Sequence, residues 1–304
     1  MPIIHAIVLG ITQGLAEYLP ISSSGHLRLV PWLFGWDDFA GHPELELAFD
    51  VALHIGTLAG AVAYFRKDLV RLARGGISVL RARRRPAQVG AVETGVHPAP
   101  AGPPVAADGL SPLDDGRLAW LLLASAVPAA AIGAVLQSTF NELGSTEWLI
   151  GLFLVLFGLV LLWADNLGGR RGADAFGLRD AFFLGSAQAL ALAPGVSRSG
   201  ATITAARWRG FSRDAAARLS FLMSLPITGG AVAYEMTDLF LNEGGLPDGF
   251  GWPLIVGILA SAVTGWVAVW GTIQLVRTRT FKPFVVYRVV AGVSVMLLAA
   301  SGFR

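Results

Sequence analysis

Long apolar runs alternate with short polar ones along nearly the whole chain. Six of them, near 46–65, 117–138, 147–165, 214–235, 252–276 and 283–301, have the roughly 20 residues that a helix needs to cross a bilayer. These six are predicted transmembrane helices. Two more apolar stretches, 2–36 and 179–210, are broken midway by a proline and a polar cluster. Irregular polar backbone persists at membrane depth only where protein buries it or a cavity hydrates it. Each stretch therefore reads as a re-entrant helix pair. The predicted fold class is all-α and integral to a membrane, with six spans and two re-entrant pairs.

Composition supports the membrane reading. The 304 residues are 54% hydrophobic and 14% charged, with a mean hydropathy of +0.60, whereas a soluble domain carries roughly 25% charge. Cysteine is absent, which excludes a disulfide framework, thiolate chemistry and Cys-ligated metal. The N-terminal stretch lacks a basic region and an A-x-A site and already carries Gln13 and Glu17, so a removable signal peptide is not expected. No nucleic-acid partner is expected either.

Charge placement changes the picture more than net charge. Lys and Arg collect in segments 66–85, 166–218 and 277–282, while loops 37–45, 139–147 and 236–251 contain none. Cytoplasmic loops carry the basic excess, which puts the basic segments inside and both termini outside. Segment 66–81 interleaves Arg with Leu69, Val70, Leu72, Ile77 and Leu80, suggesting an interfacial helix that Gly75-Gly76 weakens. Residues 86–116 are rich in Pro, Ala and Gly without periodicity and read as a disordered cytoplasmic linker.

The chain also repeats itself. At a constant offset of 175, Gly10, Gln13, Leu15, Ala16, Ser22, Ser24 and Gly25 match Gly185, Gln188, Leu190, Ala191, Ser197, Ser199 and Gly200. Gly60-Ala-Val-Ala-Tyr64 recurs as Gly230-Ala-Val-Ala-Tyr234. The halves, 1–166 and 167–304, each hold one re-entrant pair and three spans. Three is odd, so the halves must be inverted, one loop dipping in from outside and the other from the cytoplasm. This is a transporter-like architecture with its site at the repeat interface.

The two loops, Leu19–His26 and Pro194–Thr202, carry the chemistry. Gln13 and Glu17 share a helix face. Glu17 is either a neutral acid bonded to a neighbouring helix, or a metal ligand or general base, with Gln13 able to add a carbonyl. Oxygen-only ligation suits Mg²⁺ or Ca²⁺, bridging to substrate phosphates. Ser22, Ser23 and Ser24 suit a helix start whose free amides face an anion. His26, three residues on, is placed to orient Ser23, deprotonate it or protonate a leaving oxygen. Arg198 needs an anion at membrane depth. It either pairs with Glu17 for structure or clamps a phosphate, with Ser197, Ser199 and Thr202 as donors. Asp50 and His54 extend the polar cavity.

Gln13-Gly-Leu-Ala-Glu17, then Pro20-Ile-Ser-Ser-Ser-Gly-His26, then Pro194-Gly-Val-Ser-Arg-Ser-Gly-Ala-Thr202 closely resembles the bacterial undecaprenyl-diphosphate phosphatase family, the BacA/UppP type linked to bacitracin resistance. Both family motifs, (E/Q)xxxE and PGxSRSxxT, are present in order. The resemblance implies a multi-pass inner-membrane enzyme with a crossed inverted-repeat fold, a homodimer among membrane lipid, its site open to the periplasmic face. It implies hydrolysis of a C55 polyprenyl diphosphate to monophosphate and phosphate, dependent on a divalent cation, which recycles the carrier for peptidoglycan. By position it makes Glu17 and Gln13 the metal or acid/base pair, Ser23 the candidate nucleophile and His26 its partner. Arg198, Ser197 and Thr202 become the diphosphate-binding loop. Gln13 stands where the family often has Glu, which puts a two-carboxylate metal site in doubt.

Two rivals remain at this stage. An acid-phosphatase-like lipid phosphatase needs a second His beyond Ser-Arg, and Thr202–Arg207 contains none. A polyprenyl-phosphate flippase would use the same anion site without hydrolysis.

Overall fold

A computed structural model describes residues 1–84, 112–143, 146–241 and 250–303. The described residues form ten α-helices: α1 (Ile3–Tyr18), α2 (Ser23–Phe34), α3 (Pro43–Arg84), α4 (Pro112–Leu143), α5 (Glu147–Asn166), α6 (Leu178–Ala189), α7 (Arg198–Trp208), α8 (Arg213–Leu241), α9 (Gly251–Thr278) and α10 (Lys282–Ala300). Six contain stretches long and apolar enough to cross a membrane: Leu45–Arg81, Asp114–Leu136, Glu147–Asn166, Arg213–Asp238, Gly251–Thr278 and Lys282–Ala300. These are the six stretches expected from hydropathy, most of them lengthened by polar turns at their ends.

The two broken stretches become the short pairs α1/α2 and α6/α7. At 1.5 Å rise per residue, the 12 residues of α6 and the 11 of α7 fall well short of a bilayer. Each pair is tied together where it begins and ends. His5 Nδ1 lies 2.6 Å from Asp38 Oδ2 and its ring stacks on Trp36. In the second pair Arg209 Nε donates to Asp180 Oδ1 at 2.8 Å, and Asp180 also accepts Arg171 Nη2 at 2.7 Å.

Small residues set the packing. α1 lies along α9, α6 along α4, and α5 along α10. Gly10 and Gly14 fall on one face of α1. A side-chain carbon at Gly10 would sit 2.7 Å from the Gly257 carbonyl, and one at Gly14 would collide with Thr264. Without hydrophobic drive between helices in lipid, such close backbone approach is what holds them.

Two sequence expectations are corrected here. The interfacial helix over 66–81 is no separate element: α3 runs unbroken through Gly75-Gly76 to Arg84. That glycine pair is where α4 crosses, with Gly116 against the Gly75 carbonyl and Trp120 Nε1 donating to Gly76 O at 3.3 Å. Nor does the linker reach 116. Residues 112–116 open α4, with Asp114 and Asp115 in its first turn, where acidic groups favour the helix dipole. Asp115 is buried 3.2 Å from Arg71 Nε, so one of the orienting arginines also ties α3 to α4. Residues 86–111 of the expected linker lie outside the described residues.

Candidate active site

The loops ending at α2 and α7 start their helices in the same way. Ser22 (φ 80°) and Ser197 (φ 76°) are, among the described residues, the only non-glycine positions with positive φ. Each caps its helix: Gly25 N donates to Ser22 Oγ at 3.4 Å and Gly200 N to Ser197 Oγ at 3.1 Å. Such backbone costs about 1–3 kcal/mol and survives only where its surroundings over-determine it. Its occurrence at two positions 175 apart shows that the two loops share one local backbone build.

The loops cross and interlock. Gly195 N donates to Ser22 Oγ at 3.0 Å, and Ser199 Oγ to Leu19 O at 3.1 Å. Arg288 of α10, wholly buried, clamps the crossing. Its guanidinium donates to Pro20 O at 3.1 Å, Gly195 O at 2.9 Å, Val196 O at 3.1 Å, Leu154 O at 3.0 Å and Phe153 O at 3.3 Å. Five carbonyl dipoles thus take the place of a counter-ion. Sequence reading passed over Arg288, although an ionisable residue six positions inside an apolar span is the signal that should find it.

Beside the crossing, Glu17 gathers the polar groups. Arg198 Nη2 donates to its Oε1 at 2.6 Å, and Ser23 Oγ to its Oε2 at 2.5 Å. Gln13 Nε2 reaches the same Oε2 at 3.2 Å, and His54 Nε2 stands 3.9 Å away. His54 Nδ1 donates to Asp50 O at 2.7 Å, which leaves the Nε2 side turned to Glu17. Arg198 is itself steadied by Ser224 O at 3.1 Å and by the Thr228 hydroxyl. A carboxylate in this position can take the Ser23 proton, while the guanidinium pairs with it and offers a phosphate a second handle.

Other expected residues stand elsewhere. His26 does not contact Ser23, contrary to the i+3 expectation. Its Nδ1 donates to the Ser22 carbonyl at 2.7 Å, so Nε2 accepts the Tyr287 hydroxyl at 2.6 Å. At the start of α2 the nearest acceptor for an imidazole is the carbonyl four residues back, and α10 supplies the other partner. Thr202 is buried with its hydroxyl 2.6 Å from Ser220 Oγ, and Ser197 lies 3.2 Å from Ser199 Oγ. These hydroxyls join loop to helix. Ser24 is exposed.

Gln13 Oε1 is buried and, among the described residues, has no hydrogen-bond partner. Among those residues no cluster of three or more His, Asp or Glu forms a metal site. A hard divalent cation fits Glu17 and this orphaned amide oxygen only if phosphate and water complete its shell, as Mg²⁺ ordinarily requires.

The family model for bacitracin resistance protein BacA matches residues 6–294. The chain belongs to the BacA family. Similar curated relatives include the undecaprenyl-diphosphatases of Pelobacter propionicus, 46% identical over 99% of this chain and 100% of the relative, and of Geobacter sulfurreducens, 44% identical over 97% and 98%. That of Nocardioides sp. is 38% identical over 98% and 97%. The BacA match spans both crossing loops and Arg288 alike.

Proposed function

We propose that this chain hydrolyses undecaprenyl diphosphate to undecaprenyl phosphate and inorganic phosphate, recycling the lipid carrier for cell-wall synthesis. The observation that carries this reading is the Ser23–Glu17–Arg198 chain of bonds at the loop crossing, in a bundle of the family whose relatives bear that activity's name. Glu17 accepts the Ser23 proton as Ser23 Oγ attacks the terminal phosphorus. The bond from that phosphorus to the bridging oxygen breaks, Glu17 passes the proton on to that oxygen, and undecaprenyl phosphate leaves. Water then attacks the phosphoserine: Glu17 takes a proton from the water and returns it to Ser23 Oγ as the serine–phosphorus bond breaks and inorganic phosphate leaves. Arg198 exchanges part of its hold on Glu17 for the phosphate oxygens, which is the positioning and charge stabilisation phosphoryl transfer demands. Gln13 Oε1 and Glu17 would hold a divalent cation, Mg²⁺ or Ca²⁺, which supplies further charge neutralisation when bound.

The same reading makes the pairs re-entrant and the halves, 1–166 and 167–304, inverted copies. Support comes from the His5–Asp38 and Asp180–Arg209 ties, which return each pair to the end where it began. Further support is the exchange of partners, α1 on α9 and α6 on α4, together with the matched strain at Ser22 and Ser197. We place the protein in the bacterial inner membrane as a homodimer, with the site open to the periplasmic face.

Phosphate release from undecaprenyl diphosphate by the purified protein in detergent tests the activity, since detergent leaves no second compartment for a carrier. Cation-dependent turnover is expected; tight binding without release would favour the flippase instead.

A further inference from the structure

At the basic end of the bundle, aspartates are each shared between two arginines. Asp165 Oδ1 accepts Arg213 Nε at 2.6 Å and lies 3.5 Å from Arg207 Nε. Asp214 holds Arg218 Nε and Arg277 Nε, both at 3.2 Å. Arg207, Arg213, Arg277, Asp214, Ser212 and Gly168 line a cavity of about 380 Å³ there, so three guanidiniums stand against the carboxylates of Asp214 and Asp165, a surplus of one positive charge. The bond that Arg277 makes to Asp214 uses Nε alone, and among the described residues its Nη atoms have no partner. A guanidinium fork in that state matches two phosphate oxygens.

Exposed aromatic residues neighbour the charged residues of this cavity along the chain. Trp163 and Trp208 are exposed and meet edge to face, and Phe183 packs on Trp208. Exposed tryptophans concentrate at the level of lipid headgroups. Trp208 directly follows Arg207, and Trp163 precedes Asp165 by two residues. Leu167, beside Gly168, is exposed and gives an acyl chain an apolar rim.

We propose that this cavity binds the phosphodiester headgroup of an anionic membrane phospholipid, a site separate from the Glu17 centre and independent of the reaction there. Basic pockets between spans hold acidic lipids by this combination of charge and interfacial depth. The test is full-length protein in nanodiscs of mixed phosphatidylglycerol and phosphatidylcholine, with retained lipid counted by native mass spectrometry. Phosphatidylglycerol should be retained about fivefold over phosphatidylcholine, and Arg277→Ala should remove about that factor. Arg277→Lys, which keeps the charge, should lose less. Arg279→Ala removes the same charge from an exposed position outside the cavity lining and should leave retention unchanged. Equal losses at Arg277 and Arg279, or no preference in the wild type, would overturn the site. Displacement of the lipid by inorganic phosphate would overturn the lipid assignment and leave a free-phosphate site.

Discussion

Glu17 faces in two directions at once, toward the Ser23 hydroxyl and toward the Arg198 guanidinium. Glu17→Gln preserves its shape and removes its basicity, so kcat for phosphate release should fall about 10²–10⁴-fold with little change in binding. Arg198→Ala should lower kcat/KM by roughly 10²–10³-fold, more than the loss of any single loop hydroxyl. Arg198→Lys should not restore it, because a point charge cannot serve Glu17, the Ser224 carbonyl and a phosphate together. Steady-state phosphate release with the three purified variants checks both; near-wild-type turnover by Arg198→Ala would remove the clamp from the mechanism. Residue types and spacing were enough to nominate Glu17, Ser23 and Arg198, since a carboxylate, a hydroxyl and a guanidinium at membrane depth have few other uses. The partners of His26 were not legible, because Tyr287 lies 261 positions away on a helix whose rotation no local pattern reveals.

The helices hold the loops through a few buried groups, and two substitutions should expose this. Arg288→Met keeps the volume of the side chain but strips five carbonyls of their donor. Breaking one side of such a buried charged network costs about 3–5 kcal/mol. The melting temperature in detergent should drop steeply, and phosphate release should fall with it as the loops come apart. A variant that melts like wild type would show the crossing is held by other bonds. At the far end, burial pushes the Asp180 carboxyl up, while hydrogen bonds from Arg171, Arg209 and Gly177 N–H outweigh it and hold the pKa below the ordinary carboxylate value. A depressed folded pKa stabilises above the unfolded value, about 3.9, and the benefit is lost as pH falls through the folded one. Asp180→Asn should therefore melt several degrees below wild type at a constant margin from pH 5 to 8, and the gap should close only in stronger acid. At this scale the composition of 86–116 misled, because a helix starts at Pro112, with Asp114 and Asp115 in its first turn, inside a loop-like run.

Hydropathy is a local property, and so the number and rough bounds of the spans could be read directly, whereas the exchange of partners between halves is set by contacts hundreds of residues apart. What joins the two is orientation, which the Lys and Arg asymmetry predicts and which labelling of the loops can test. If both pairs returned to the face they left, the acidic loop at Asp37 and the basic loop at Arg279 must lie on opposite sides. If α6/α7 crossed instead, every later loop would change sides and the two would end together. The chain has no cysteine, so Asp37→Cys and Arg279→Cys can be made one at a time without further engineering. In intact cells an impermeant maleimide should label the first from outside and reach the second only after the membrane is opened. Labelling of both from the same side would mean that α6/α7 spans the membrane, and the inverted repeat would be lost with it. The reverse pattern would keep the repeat and turn the site toward the cytoplasm, where Arg198 and Glu17 would meet a diphosphate arriving from the other leaflet.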